Sequence, residues 1–283
     1  MPQWILSSWY WAPNNPKEKH MHESIINNFN FEYVYNFFFA PEKVKGQPYK
    51  PRRSPYAREA VVATEASEAN QKSATDSHIH FFEDFSTTPI GKKPVGWQTK
   101  LGMDGSTCVV MKIDGVEGNW ALLKGHYARP TLLKTPMPRN FTLSYDVIVP
   151  EKFTWGAKGL VLLLSHDKSG GVAEAFISVK LRPGSGGADG EATVETKFPS
   201  GYANGTKWYV ASGFSNNNAI NRIHVTITKR DEALQLFIDA KKIADYNKAV
   251  PADMQFNGLS FDMSRSDGEN EKYYVGNITM TKD

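Results

Sequence analysis

The sequence predicts an all-β body, a sandwich or jelly roll over residues 79–283, preceded by a long, mostly irregular N-terminal arm over 1–78. Three observations predict it. From residue 79 onward, segments of alternating apolar and polar residues recur at short intervals between turn signals, as in a sandwich. Aromatic residues make up 12% of the chain, which also holds 22 glycines and 16 prolines, a composition that favours strands and turns. Residues 1–78, by contrast, change composition twice and carry one short alternating segment.

Composition bounds the function classes. At 283 residues the chain suits one large domain, or a medium domain with an appendage. A hydrophobic share of 40% and a charged share of 22% exclude full disorder. No stretch approaches the ~20 apolar residues that a membrane-spanning helix needs. A lone cysteine, Cys108, excludes a disulfide framework and cysteine-based metal sites. With 33 basic against 30 acidic residues, the chain is too balanced for a nucleic-acid binder.

The arm opens on Trp4, Trp9, Tyr10 and Trp11, without the basic stretch and apolar core of a visible secretory signal. Next, Phe29, Phe31, Tyr33, Tyr35 and Phe37 alternate with Asn28, Asn30, Glu32, Val34 and Asn36. Period-two spacing predicts a strand with five rings on one face. Such a strand needs a cover, so these rings are the candidate contacts for a protein partner. Residues 41–58 form a basic linker, with Lys43, Lys45, Lys50, Arg52, Arg53 and Arg58 opposed by Glu42 alone. Residues 59–76 are acidic and alanine-rich, which predicts a short exposed helix acting as a spacer.

In the body, Phe141, Leu143, Tyr145, Val147 and Val149 alternate, so they share one strand face. Residues 159–165 are a continuous apolar run, expected of a strand covered on both sides. Residues 175–181 alternate again, and the glycine-rich 182–190 is a loop. After a second loop at 212–218, strands at 222–229 and 233–239 are joined by Arg230, Asp231 and Glu232. Strands at 259–263 and 273–280 close the domain around a polar loop.

Three stretches resemble a known family. They are Phe82 to Trp97 (FEDFSTTPIGKKPVGW), Ile113 to Trp120 (IDGVEGNW) with Met137 to Asp146 (MPRNFTLSYD), and Arg222 to Asp245 with Tyr273 to Thr279. In order and spacing they are similar to the concanavalin A-like jelly roll that precedes the peptidoglycan-binding module in OmpA-family envelope proteins of Bacteroidetes. The resemblance implies a cell-envelope or extracellular setting and an interaction with a glycan or another envelope component. It also implies that Trp97 and Trp120 pack in the core. Peptidoglycan anchoring is not carried over, because no such module follows the jelly roll within this sequence.

Chemistry-bearing motifs are few. Hydrolysis on such a fold uses two carboxylates about 5.5 Å apart on neighbouring outward positions. Here Glu191 and Glu195 would share a strand face, but two pleats would separate them by ~13 Å. Cys108 lies in an apolar strand, and neither a nucleophile elbow nor a phosphate-binding loop is present. The pairs His20/His22 and His78/His80 read as exposed polar residues, and Asp267, Glu269, Asn270 and Glu271 as a solvated loop. The expectation is therefore a non-catalytic glycan- or envelope-binding protein without a cofactor or metal, the alternatives being a structural subunit that docks through its aromatic strand and a divergent glycoside hydrolase. Sugar recognition needs an aromatic platform with directional polar groups, and the best candidates are Trp155, Tyr202, Trp208, Tyr209 and Asn217.

Overall fold

A computed structural model describes residues 29–49, 78–100, 107–125, 127–153, 158–167, 175–198, 201–263 and 270–283. The chain divides into two units, Met1–Gln71 and Lys72–Asp283.

In the first unit the aromatic segment is a helix, α1 (Phe31–Phe39), followed by a 3-10 turn at Pro41–Lys43. This corrects the strand expected there. The side-chain oxygen of Asn30 caps the helix by accepting from the Tyr33 N–H at 3.0 Å, and Glu32 lies in the first turn. A lone strand would leave its backbone groups unpaired, whereas a helix satisfies most of its own. The five rings do not share a face. Tyr33 packs edge-on against Tyr49 at 5.4 Å and donates its hydroxyl to the Gln47 carbonyl at 2.7 Å. Phe29 contacts Phe31 at 4.7 Å, and Tyr35 and Phe37 point to solvent at 59% and 57% exposure.

The second unit holds two antiparallel sheets. In spatial order the first contains β13 (Lys241–Tyr246), β12 (Ala233–Ile238), β11 (Ile220–Arg230), β6 (Phe141–Pro150), β15 (Tyr273–Lys282), β4 (Val116–Lys124) and β3 (Thr107–Ile113). The short β1 (Ile79–Glu83) also pairs with β15. The second sheet runs β10 (Gly205–Ala211), β9 (Gly190–Lys197), β8 (Phe176–Arg182), β7 (Leu160–Ser165), β14 (Gly258–Met263), β5 (Tyr127–Pro130) and β2 (Trp97–Lys100). The unit is an all-β jelly-roll sandwich.

Alternation explains the layers. Phe141, Leu143, Tyr145, Val147 and Val149 are fully buried on the inner face of β6. Leu160, Leu162 and Leu164 of β7 and Ile177, Val179 and Leu181 of β8 meet them from the second sheet. Tyr145 contacts Phe261 at 5.2 Å between ring centroids. Burying each such side chain contributes about 1.5–3 kcal/mol. Leu163 on the other face of β7 is buried as well, as the continuous apolar run requires. The β12–β13 turn places Asp239 and Ala240 at φ 48° and 65°, the left-handed pair of a two-residue hairpin.

The two family-matched tryptophans part company. Trp97 lies in the core, and its indole N–H donates to Glu83 at 2.9 Å. Trp120 is buried on the solvent side of the first sheet instead, beneath the Arg222 guanidinium at 5.3 Å and against Gly276. That corrects its expected core position. Its chain neighbours Ala121 and Leu123 occupy the two sides of Leu122 on the core face, so the pleat turns Trp120 outward.

Candidate functional site

The outer face of the second sheet carries the polar and aromatic groups best placed to meet a ligand. Antiparallel partners share a face, so their registers align side chains in rows. One row reads Tyr127, Asp262, Val161, Lys180, Thr193 and Trp208 from β5 to β10. The next reads Ser260, Leu163, Ser178, Glu195 and Thr206, and a third Arg182, Glu191 and Val210.

Trp208 is 61% exposed on β10, the edge strand of this sheet. The Lys180 ammonium lies over its ring, 5.2 Å from the centroid. Between them in register is Thr193, only 5% exposed, whose hydroxyl has no hydrogen-bond partner among the described residues. Arg182 and Glu191 form an ion pair at 3.1 Å at the end of this array. Glu191 and Glu195 share the face as expected, and Asp262 joins them from β14. The loop joining β8 to β9, glycine-rich as read from sequence, borders a shallow cavity of about 190 Å³ lined by residues 182–185 and 188–191.

The other candidates lie elsewhere. Tyr209 follows Trp208 and therefore faces inward, where it donates its hydroxyl to that of Tyr246 at 2.8 Å. Burial, then this hydrogen bond, raises the Tyr246 hydroxyl above its ordinary range. Tyr202 packs against the core and donates to Glu232 at 3.2 Å. Asn217 is exposed on the loop between β10 and β11, its backbone N–H directed at the Ser215 hydroxyl at 3.5 Å. Trp155 lies outside the described residues, as do His20, His22, Asp267 and Glu269. Of the described members of this set, Trp208 alone lies on the open face.

Remaining nucleophile and metal candidates are structural where they are described. Burial pushes the Cys108 thiol up to about 12, against a weaker opposing effect of Lys93. His80 donates from Nε2 to the Lys134 carbonyl at 2.9 Å. Among the described residues, no group of three or more His, Cys, Asp or Glu side chains is arranged to hold a metal ion.

One constellation was not expected from the sequence. On the solvent side of the first sheet, the Asp146 carboxylate accepts from Arg222 at 2.9 Å, His224 Nδ1 at 2.8 Å and Asn277 at 2.7 Å. Burial alone would raise this carboxyl, but His224, Arg222 and Asn277 together hold it below the ordinary range. The hydrogen bond to Asp146 in turn raises His224. The signal available was Asp146, the one charged residue of β6.

No protein-family model matches the chain, and no curated protein matches it either. Solved structures do. A glycoside hydrolase family 16 endo-glucanase from Bacteroides ovatus is similar at 14% identity and a TM-score of 0.49, over 71% of this chain and 99% of that one. A Bacillus licheniformis β-glucanase is similar at 14% identity and a TM-score of 0.45, over 74% of this chain and 100% of that one. The carbohydrate-binding module CBM66 from Bacillus subtilis is similar at 16% identity and a TM-score of 0.39, over 66% of this chain and 96% of that one. The likeness is one of fold, the concanavalin A-like jelly roll. It also corrects the expectation of a non-catalytic protein. Sandwiches of this arrangement include endo-glucanases, so the arrangement no more excludes catalysis than it assigns it.

Proposed function

We propose that the protein binds a glycan on the outer face of its second sheet, at the cell envelope or outside the cell. The observation that carries this reading is Trp208, a wide ring left 61% open on a strand face beside Thr193, Thr206 and Lys180. The C–H face of a pyranose stacks on such a ring, and directional groups beside it read the hydroxyls. Ser178, Glu195 and Thr206 supply donors and acceptors one row away. The resemblance of 82–283 to envelope-protein jelly rolls supports the setting.

The test is an oligosaccharide array probed with the whole chain and with Trp208→Ala. Stacking of this kind predicts a loss of at least about tenfold in affinity for the variant. Undiminished binding would remove Trp208 from the site. Reducing ends released from a bound oligosaccharide would add hydrolysis, with Glu191, Glu195 and Asp262 the carboxylates on that face.

A second reading concerns the first unit. Phe31, Tyr35, Phe37 and Phe38 of α1 are exposed at 42%, 59%, 57% and 63%. Such a helix fits the apolar groove of a protein partner, in place of the strand addition expected from the sequence. A photocrosslinker at Phe38 should then capture one protein, and Tyr35→Ser should abolish that adduct.

A further inference from the structure

We infer that the glycan taken by this face is acidic, its carboxylate or sulfate meeting the Lys180 ammonium while a sugar ring lies on Trp208. The inference rests on the glycan reading above and specifies its ligand class. Lys180 Nζ stands 5.2 Å from the Trp208 centroid, over one face of the ring. A ligand stacked on that face displaces this cation, and one stacked beside it can pair with it. A uronate does the latter with ease, because its carboxylate projects from the ring edge while the C–H face stays on the indole.

The charges around Lys180 favour pairing. No carboxylate lies within ion-pair distance of it among the described residues. Glu191, two residues before Thr193 on β9, is held by Arg182 at 3.1 Å. Glu195 stands in the adjacent row beside Ser178. An ammonium on a β-strand, resting over an aromatic ring and outside ion-pair distance of any described carboxylate, is a cation still open to an anion.

Thr193 is the independent observation. It sits between Lys180 and Trp208 in register, 95% shielded from solvent, with its hydroxyl unpartnered. Buried hydroxyls are nearly always bonded, and unlike the other unpartnered one, that of Tyr145 in the core, this hydroxyl lies on the outer face within reach of a ligand.

The experiment uses the whole chain and a panel of paired oligosaccharides, uronate-bearing or sulfated, each with its carboxyl-reduced or desulfated counterpart. The acidic member of at least one pair should bind about tenfold tighter than its neutral partner, and should weaken as salt rises. Preference within the uronate or the sulfate pairs identifies which anion is read. Lys180→Gln should erase the preference, Lys180→Arg should restore it, and Thr193→Val should weaken both members. Equal binding of acidic and neutral members, or a preference that survives Lys180→Gln, would overturn the inference. In that case a loss on Trp208→Ala would still uphold the glycan reading. No binding to any member would overturn both.

Discussion

Asp146 lies on the solvent side of β6 yet is only 3% exposed, because Arg222, His224 and Asn277 close over its carboxylate. Its partners come from β11 and β15, 76, 78 and 131 residues further along the chain, which is why no local pattern in the sequence revealed them. Removing the charge with Asp146→Ala leaves Arg222 and His224 without their shared partner and should cost about 3–5 kcal/mol, read by chemical denaturation. The two titrations act in opposite directions. Asp146 is lowered on folding, so its contribution is present above the ordinary carboxylate pKa of ~4 and is lost as pH falls through the lower folded value. His224 is raised, so its contribution is complete below the unfolded value of ~6.5 and is lost as pH rises through the folded one. Melting temperature should therefore decline on the alkaline side of neutrality in the wild type and stay flatter in His224→Gln. Gly276 sets another limit at this scale. A Cβ there would lie 2.8 Å from Trp120 Cε3, so Gly276→Ala should destabilise by about 1–3 kcal/mol in the same assay.

At the scale of elements, strands were legible wherever one face is core and the other is not. The alternation of Phe141 to Val149 gave β6 its inner face without ambiguity, and the two polar residues Asp231 and Glu232 do separate β11 from β12. The aromatic segment was misread for a physical reason. Val34, Phe38 and Phe39 also fill the positions between and beyond the alternating rings, so both periods fit, and the Asn30 cap decides for the helix. The same alternation, applied to β10, places Trp208 and Tyr209 on opposite faces. Tyr209 could have been withdrawn from the binding candidates on that ground alone. The β12–β13 turn offers a test of local strain. Ala240 holds a φ of 65° that suits glycine better, so Ala240→Gly should stabilise by about 1 kcal/mol and raise the melting temperature.

Across the second unit, the two sheets present unlike outer faces. The first is closed by the Asp146 cluster and by Arg222 lying over Trp120. The second is open at its β10 edge, where Trp208 and Val210 are 61% and 60% exposed beside Lys180 and the unpartnered Thr193 hydroxyl. The fold was legible because turn signals and alternation are local properties. The site was legible only in part, because a row such as Lys180, Thr193 and Trp208 exists only once three strands have found their register. The central claim is that this face takes the ligand. Backbone amide chemical shifts of the labelled whole chain, titrated with a bound oligosaccharide, test it most directly. The largest changes should fall on 178–182, 191–195 and 206–210. Changes centred on Tyr202, Asn217 or the Asp146 cluster, with β10 silent, would contradict the account.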